Sequence, residues 1–436
     1  MPTLPRSAPR HRAAAGGAAL AICLLAGTAA AAPADSRRHE DAPWFGPLAT
    51  FAVAGDVAEI VTATPDEKTL IYTDSATGDI GLVDIRTPAA PRQITTIPTG
   101  GSPTSVAVTR DGRRALVAVD TTTDLAAPAG HLAVIDLRSR RVVATVDLGG
   151  QPDSIALTKN GRTAAIAIEN QRDEEVLVDG VEGGLPQLPA GFLSVVDLHG
   201  PASRWTADRV DLTGLRGAAF ADDPEPEFVD INADGEAAVT LQENNAIAIV
   251  DLERRKVVRS FSAGTVTRTD ADLLDDDVIS FVQPLTAPRE PDAVQWTDDG
   301  NLVTADEGDL AAEPSGGRGW TVFSPRGRVL YSPGSSAEMA LAEAGRYPDG
   351  RSDDKGAEFE GVEVADYKRA GDVLFVGSER GNAVLVYGFE RETRPKLAQV
   401  LEVGAAPEGL VALERRGLFV VSNEDDGTLS VFGLAH

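Results

Sequence analysis

Apolar positions along this chain come in short, β-branched runs separated by Gly, Asp and Asn, and the runs return in the same order. One copy reads SVAVT at 105–109, RALVAVD at 114–120 and HLAVIDL at 131–137; another reads FVDIN at 228–232, AAVTLQE at 237–243 and IAIVDL at 247–252. Further copies begin at Glu59, Asp153, Asp292, Glu360 and Glu408, making seven in all. A repeat built of such strands cannot bury its faces alone and must stack on its neighbours. The pattern predicts an all-β fold: a seven-bladed β-propeller of four-stranded antiparallel blades, with strand A innermost and strand D outermost.

The expected blades span 58–97, 104–147, 153–212, 227–261, 292–331 and 360–403, and the last repeat, 408–434, supplies only three strands. Residues 48–54 precede the first blade as each D strand precedes the next A strand. They are the expected outer strand of the last blade, closing the ring and leaving no free edge there. The propeller is thus expected over 48–434, after a linker at 35–47.

Connections are unequal in length. The A-to-B turns are short and end in Gly112, Gly161, Gly235, Gly300 and Gly417, as tight hairpins needing a positive φ do. Long insertions fall at 121–130, 171–191, 213–226, 264–290, 308–318 and 332–359, all in B-to-C or D-to-A connections. Because successive strands run antiparallel, those two classes of loop emerge on one face. Long loops on one face of a rigid scaffold point to the functional face.

Composition adds a sign. The 436 residues carry 67 Asp and Glu against 40 Lys and Arg, a formal charge of −27. That balance opposes nucleic acid and anionic lipid and suits cations or basic partners. At the amino terminus, Arg6, Arg10 and Arg12 precede an apolar run over 13–32 and then Pro33, Ala34 and Asp35, the order of a Sec-type signal peptide over 1–34. Export to the periplasm or outside the cell is the expectation. The single cysteine, Cys23, lies inside that segment, so the mature chain is expected to be free of thiols and disulfides. No other stretch is apolar enough to span a bilayer. A monomer is expected.

The acids gather on the elaborated face. Entering strand A stand Asp153, Glu227, Asp292, Glu358 with Glu360, and Glu408; leaving strand B stand Glu169-Asn170, Glu243-Asn244, Asp306-Glu307, Glu379-Arg380 and Glu424-Asp425. Carboxylates crowded at a channel mouth cannot all stay ionised uncompensated: some titrate upward, basic side chains pair with them, or a cation sits among them. Carboxylate and amide oxygens are ligands of the kind Ca²⁺ prefers. The candidate metal ligands are Glu227, Glu243, Asn244, Asp292, Asp306, Glu307, Glu360, Glu379, Glu408 and Glu424. Arg289, Arg351, Lys355 and Arg380 are the candidate partners of these acids or of an anionic ligand. The alternative is that the acids are turn and cap residues bonding loop N–H groups around a water-filled channel.

Other chemistries have less support. Asp270, Asp272 and Asp275 to Asp277 lack the Gly and terminal Glu of an EF-hand and read as a solvated acidic loop. His11, His39, His131, His199 and His436 are scattered, which disfavours a zinc site or a Ser-His-Asp triad. No G-x-S-x-G elbow, P-loop or H-E-x-x-H motif occurs. The tryptophans, Trp44, Trp205, Trp296 and Trp320, are expected in blade packing.

Three segments, EPEFV at 225–229 leading to LQENNAIA at 241–248, EPD at 290–292 leading to VTADEGD at 303–309, and RSDDKGAEFEG at 351–361, resemble the choice-of-anchor I family. The likeness runs in order through most of the chain. It implies a secreted or surface-attached bacterial propeller related to the animal mesenchyme-specific cell-surface glycoprotein. Some relatives carry the label alkaline phosphatase, and the wider propeller group includes lactonase-like and phytase-like enzymes. The resemblance assigns no catalytic residue, and no anchor segment is expected after Leu434. Two functions remain: a non-catalytic protein binding a small molecule, a cation or an extracellular partner at an acidic, Ca²⁺-binding face, or a metal-dependent phosphoesterase or lactonase in which the metal activates water.

Overall fold

Strands B and C of each repeat are apolar on both sides because both faces of every blade are covered, whereas strand D alternates. In the second blade, strand B (Arg114–Asp120) is buried through its centre, and strand D (Arg141–Asp147) is mostly exposed. A computed structural model describes residues 44–435 apart from 174, 309–314, 369, 390 and 391. The expected signal peptide with Cys23 and His11, the linker as far as residue 43 with His39, and His436 lie outside the described residues.

Seven four-stranded antiparallel sheets form. Their innermost strands are Val61–Ala63, Ser102–Val108, Pro152–Leu157, Val229–Ile231, Val294–Trp296, Phe359–Tyr367 and Pro407–Leu413. The expected propeller is therefore present. Its closing strand runs Phe45–Ala52, three residues earlier than expected, and pairs antiparallel with Thr428–Leu434 as the outermost strand of the seventh blade.

Burial explains why the ring closes. Each pair of successive blades shares one apolar core, and the core between the seventh and first blades, built on Leu70, Tyr72, Val83, Leu418, Val420 and Val431, is made like the others. Trp320 packs edge-on to Tyr387 across the gap between the fifth and sixth blades. Trp205 and Trp296 are also buried, but Trp44, at the start of the closing strand, is 57% exposed.

The A-to-B turns are trimmed as expected, with Gly112, Gly161, Gly235, Gly300 and Gly417 all at positive φ between 61° and 82°. On the opposite face the insertions fold into ordered pieces. Hairpins form at Leu177–Val178 with Val181–Glu182 and at Thr265–Ala271 with Gln283–Pro288, and a short helix spans Ser336–Glu343. Asp275 to Asp277 lie exposed at the tip of the second hairpin, while Asp272 turns inward and accepts Ser280 N–H at 2.8 Å.

Innermost strands present one unpaired edge to the channel, and the neighbouring blade covers it. Ser154 Oγ accepts Val229 N–H at 2.8 Å, Asp230 accepts Trp296 N–H at 2.8 Å, Gln295 accepts Val364 N–H, and Glu363 accepts Ala412 N–H at 2.9 Å.

Candidate cation site at the channel mouth

The seven innermost strands enclose a channel of about 550 Å³ that includes Asp153, Glu227, Asp292, Glu307, Glu360 and Glu408 among its lining residues. A backbone irregularity aims several of these acids. In the third, sixth and seventh blades the A-to-B ladder slips between Pro152 and Ile155, Phe359 and Val362, and Pro407 and Leu410, and the acid stands inside each slip. A bulge releases a residue from its ladder and re-aims its side chain. The second blade slips at the same place but carries Thr104 there, whose hydroxyl donates to Asp153 O at 2.8 Å.

The carboxylates then group by a single rule. An A-strand acid, the acid leaving strand B of that blade, and the A-strand acid of the next blade bring oxygens within 4.8 Å of one another. The third and fourth blades supply Asp153, Glu169 and Glu227; the fifth and sixth, Asp292, Glu307 and Glu360; the seventh and first, Glu408, Glu424 and Glu59. Glu307 also belongs to a further group with Glu358 and Glu379.

Burial and then mutual repulsion push protons onto several of these acids. Glu59 is raised to about 7 by burial, with Glu424 and Asp153 adding to it, and burial alone raises Asp153 to about 7. Glu169, Glu227, Asp292, Glu360 and Glu408 lie well above the usual carboxylate range for the same reasons in the same order. Buried Oε2 atoms of Glu59, Glu360 and Glu408 have no hydrogen-bond partner. An all-oxygen set of this kind fits a hard divalent cation, which would displace the protons.

Among the described residues, ion pairs to the acids of these four groups form on one side only. Lys355 Nζ pairs with Glu307 and lies 3.6 Å from Glu358; Arg351 reaches Glu358 at 2.7 Å; Arg380 bonds Glu379 at 2.8 Å and Glu358 at 3.3 Å. Burial alone would lower the Lys355 pKa, but Glu307, Glu358 and Glu379 outweigh it and raise it.

Among known families, the profile of the choice-of-anchor I domain matches residues 59–317 and 311–392, most of the chain. The chain belongs to the choice-of-anchor I family. No curated protein matches it in sequence. Among the solved structures that share the fold of this choice-of-anchor I propeller are two of low sequence identity. Kuenenia stuttgartiensis hydrazine synthase is 15% identical, over 87% of this chain and 96% of that one, with a TM-score of 0.55. The Myceliophteria thermophila Cps50 (Swd1) β-propeller domain is 12% identical, over 88% and 98%, with a TM-score of 0.56. Likeness at this level extends to architecture alone.

Not every residue expected at the mouth of the choice-of-anchor I channel reaches it. Asp306 turns into its blade, accepting Thr304 Oγ1 at 2.7 Å and Thr321 Oγ1 at 2.5 Å, with Arg289 at 3.7 Å. Arg289 is buried beside it and donates to Ala263 O, Thr265 O and Thr321 Oγ1. Asn244 is a clamp: its Oδ1 accepts Glu225 N–H at 2.9 Å and its amide donates to Ala219 O and Asp223 O. Asn170 and Asn423 make the same bond to the loop entering a neighbouring strand. Glu243 faces the charges of Glu169 and Glu227 but stands outside the three groups. Glu379 joins the group with Glu307 and Glu358, and Glu227, Asp292, Glu307, Glu360, Glu408 and Glu424 join the three. Glu59, Asp153 and Glu169 complete them without having been singled out as ligands; their signal was the repeat position each shares with a chosen acid.

Proposed function

We propose that this choice-of-anchor I protein is an exported, non-catalytic binding protein whose channel mouth takes Ca²⁺ and, through it, a small molecule or extracellular partner. The observation that carries the reading is the threefold recurrence of one carboxylate arrangement by one rule of blade neighbourhood. Local turn and cap needs give each acid a backbone partner in its own blade; they do not require three acids from two blades to share one spot. Export rests on the charged, apolar and small-residue order of 1–34, in keeping with the family. Among the described residues no helix is long and apolar enough to cross a membrane.

Calorimetric titration of chelator-treated protein with CaCl₂ tests this. Binding accompanied by proton release is expected, because raised carboxyls must ionise on metal entry. Glu408→Gln or Glu227→Gln should weaken the affinity of one site at least tenfold. Absence of heat together with an unchanged melting temperature would refute the reading.

A metal-dependent hydrolase is the second reading, favoured by Lys355 and Arg380 standing beside the Asp292, Glu307 and Glu360 group, where they would hold a phosphate or carboxylate. Binding is preferred because both cations are already engaged by Glu307, Glu358 and Glu379. Turnover of aryl phosphate, phytate or lactone with CaCl₂, lost with chelator and in Glu360→Gln, would reverse that preference.

A further inference from the structure

Lys355 is built into its place. The buried Arg318 guanidinium donates to Asp272 O at 2.7 Å, Ser352 O at 2.8 Å and Asp354 O at 2.5 Å, tying the turn that carries Lys355 to the hairpin before the fifth blade. Gly356 follows at φ +68°, where a Cβ would collide with the buried carboxylate of Glu338, itself paired with Arg268 at 2.9 Å. A turn held from both sides points one ammonium, with a side chain only 14% exposed, at Glu307. Among the described residues, Glu307 is the one acid common to two carboxylate groups. Its other oxygen accepts Gln242 Nε2 at 2.9 Å, so its orientation is set. The group of Glu307, Glu358 and Glu379 already has Arg351 and Arg380 for neutralisation. Arg380 also acts at longer range on Glu424, but among the described residues no ion pair joins a Lys or Arg to the acids of the Asp153 and Glu408 groups.

We propose that Lys355 is an intramolecular competitor for Glu307, a fixed ammonium that denies this carboxylate to a divalent ion at the Asp292, Glu307 and Glu360 group and so sets that site's affinity below the other two. The proposal rests on the cation-binding reading. Removing the ammonium frees one ligand oxygen and one negative charge for the ion, and both favour Ca²⁺. Glu358 keeps Arg351 and Arg380, so the turn retains its ion pairs.

The test is a CaCl₂ titration of the full chain after chelator treatment. Lys355→Met should tighten one site at least tenfold or add one ion per chain. Lys355→Arg, which keeps the charge, should show no such gain. The gain should vanish when Lys355→Met is combined with Glu360→Gln. Lys355→Gln gives the same readout should methionine disturb folding. Equal or weaker binding by both neutral variants, or a gain that survives Glu360→Gln, would overturn the proposal. If the unsubstituted chain takes no Ca²⁺ but Lys355→Met does, the native binding function falls and this competition stands. If the unsubstituted chain binds and Lys355→Met matches it, the reverse holds; if neither binds, both fall.

Discussion

Asp306 and Glu307 are adjacent acids with opposite fates. Side chains alternate along a strand, so Glu307 faces the mouth and Asp306 faces the blade interior. There burial raises Asp306 to about 6 against the pull of Arg289 and of the Thr304 and Thr321 hydroxyls. Taking away Arg289 leaves a buried carboxyl without its counter-charge and two backbone carbonyls without a donor. Arg289→Met should therefore cost about 3–5 kcal/mol in urea unfolding, while Ca²⁺ affinity stays within about twofold of the parent value. A loss of binding without loss of stability would place Arg289 at the ligand after all. The Glu-Asn pairs divide labour in the same way: Glu169 points to the channel and Asn170 clamps a loop.

At the scale of elements, the bulges matter most. Slips in the innermost strands turn acids toward the axis, and slips between strands C and D recur at Leu82/Val83, Val134/Ile135, Ile249/Val250, Val322/Phe323 and Val386/Tyr387. Apolar alternation alone does not reveal them, because a bulge adds a residue without changing residue type. The closing strand is the other decisive element. Phe45 is fully buried, meets Tyr367 and Phe375 edge-on at 5.2 Å each, and has both its N–H and its C=O bonded by the Gln399 amide. Phe45→Ala should destabilise the ring by about 3–5 kcal/mol, read as a lower urea midpoint. An unchanged midpoint would mean that the seventh blade holds without its outermost strand.

Across the whole molecule, charge and closure act together. Ring closure sets distant acids side by side, and Glu59, Asp153 and Glu379 are each raised to about 7 from ordinary values of 4.5, 3.8 and 4.5. From about pH 4 upward the folded chain holds protons that the unfolded chain releases, so stability falls as pH rises through about 7. In chelator the melting temperature should therefore be higher at pH 5 than at pH 8. CaCl₂ should restore part of the loss at pH 8 by neutralising the ionised groups. A melting temperature in chelator that rises from pH 5 to pH 8 would contradict the crowding of the mouth.

The repeat was legible because it is local: a blade needs four apolar runs, a Gly turn and an acid at a strand entry, and each signal spans only a few residues, as at 228–252. The ring, the trimmed face and the elaborated face follow from that periodicity and from antiparallel connection. Only the tertiary structure decided that Glu59 meets Glu408 and Glu424, that Asp306 and Asn244 turn away, and that Lys355 reaches Glu307. Those outcomes depend on bulge position and on register between blades, and both are settled by packing among residues far apart in the chain. Hydrophobic spacing therefore specifies which strands form, while convergence of side chains awaits closure of the ring.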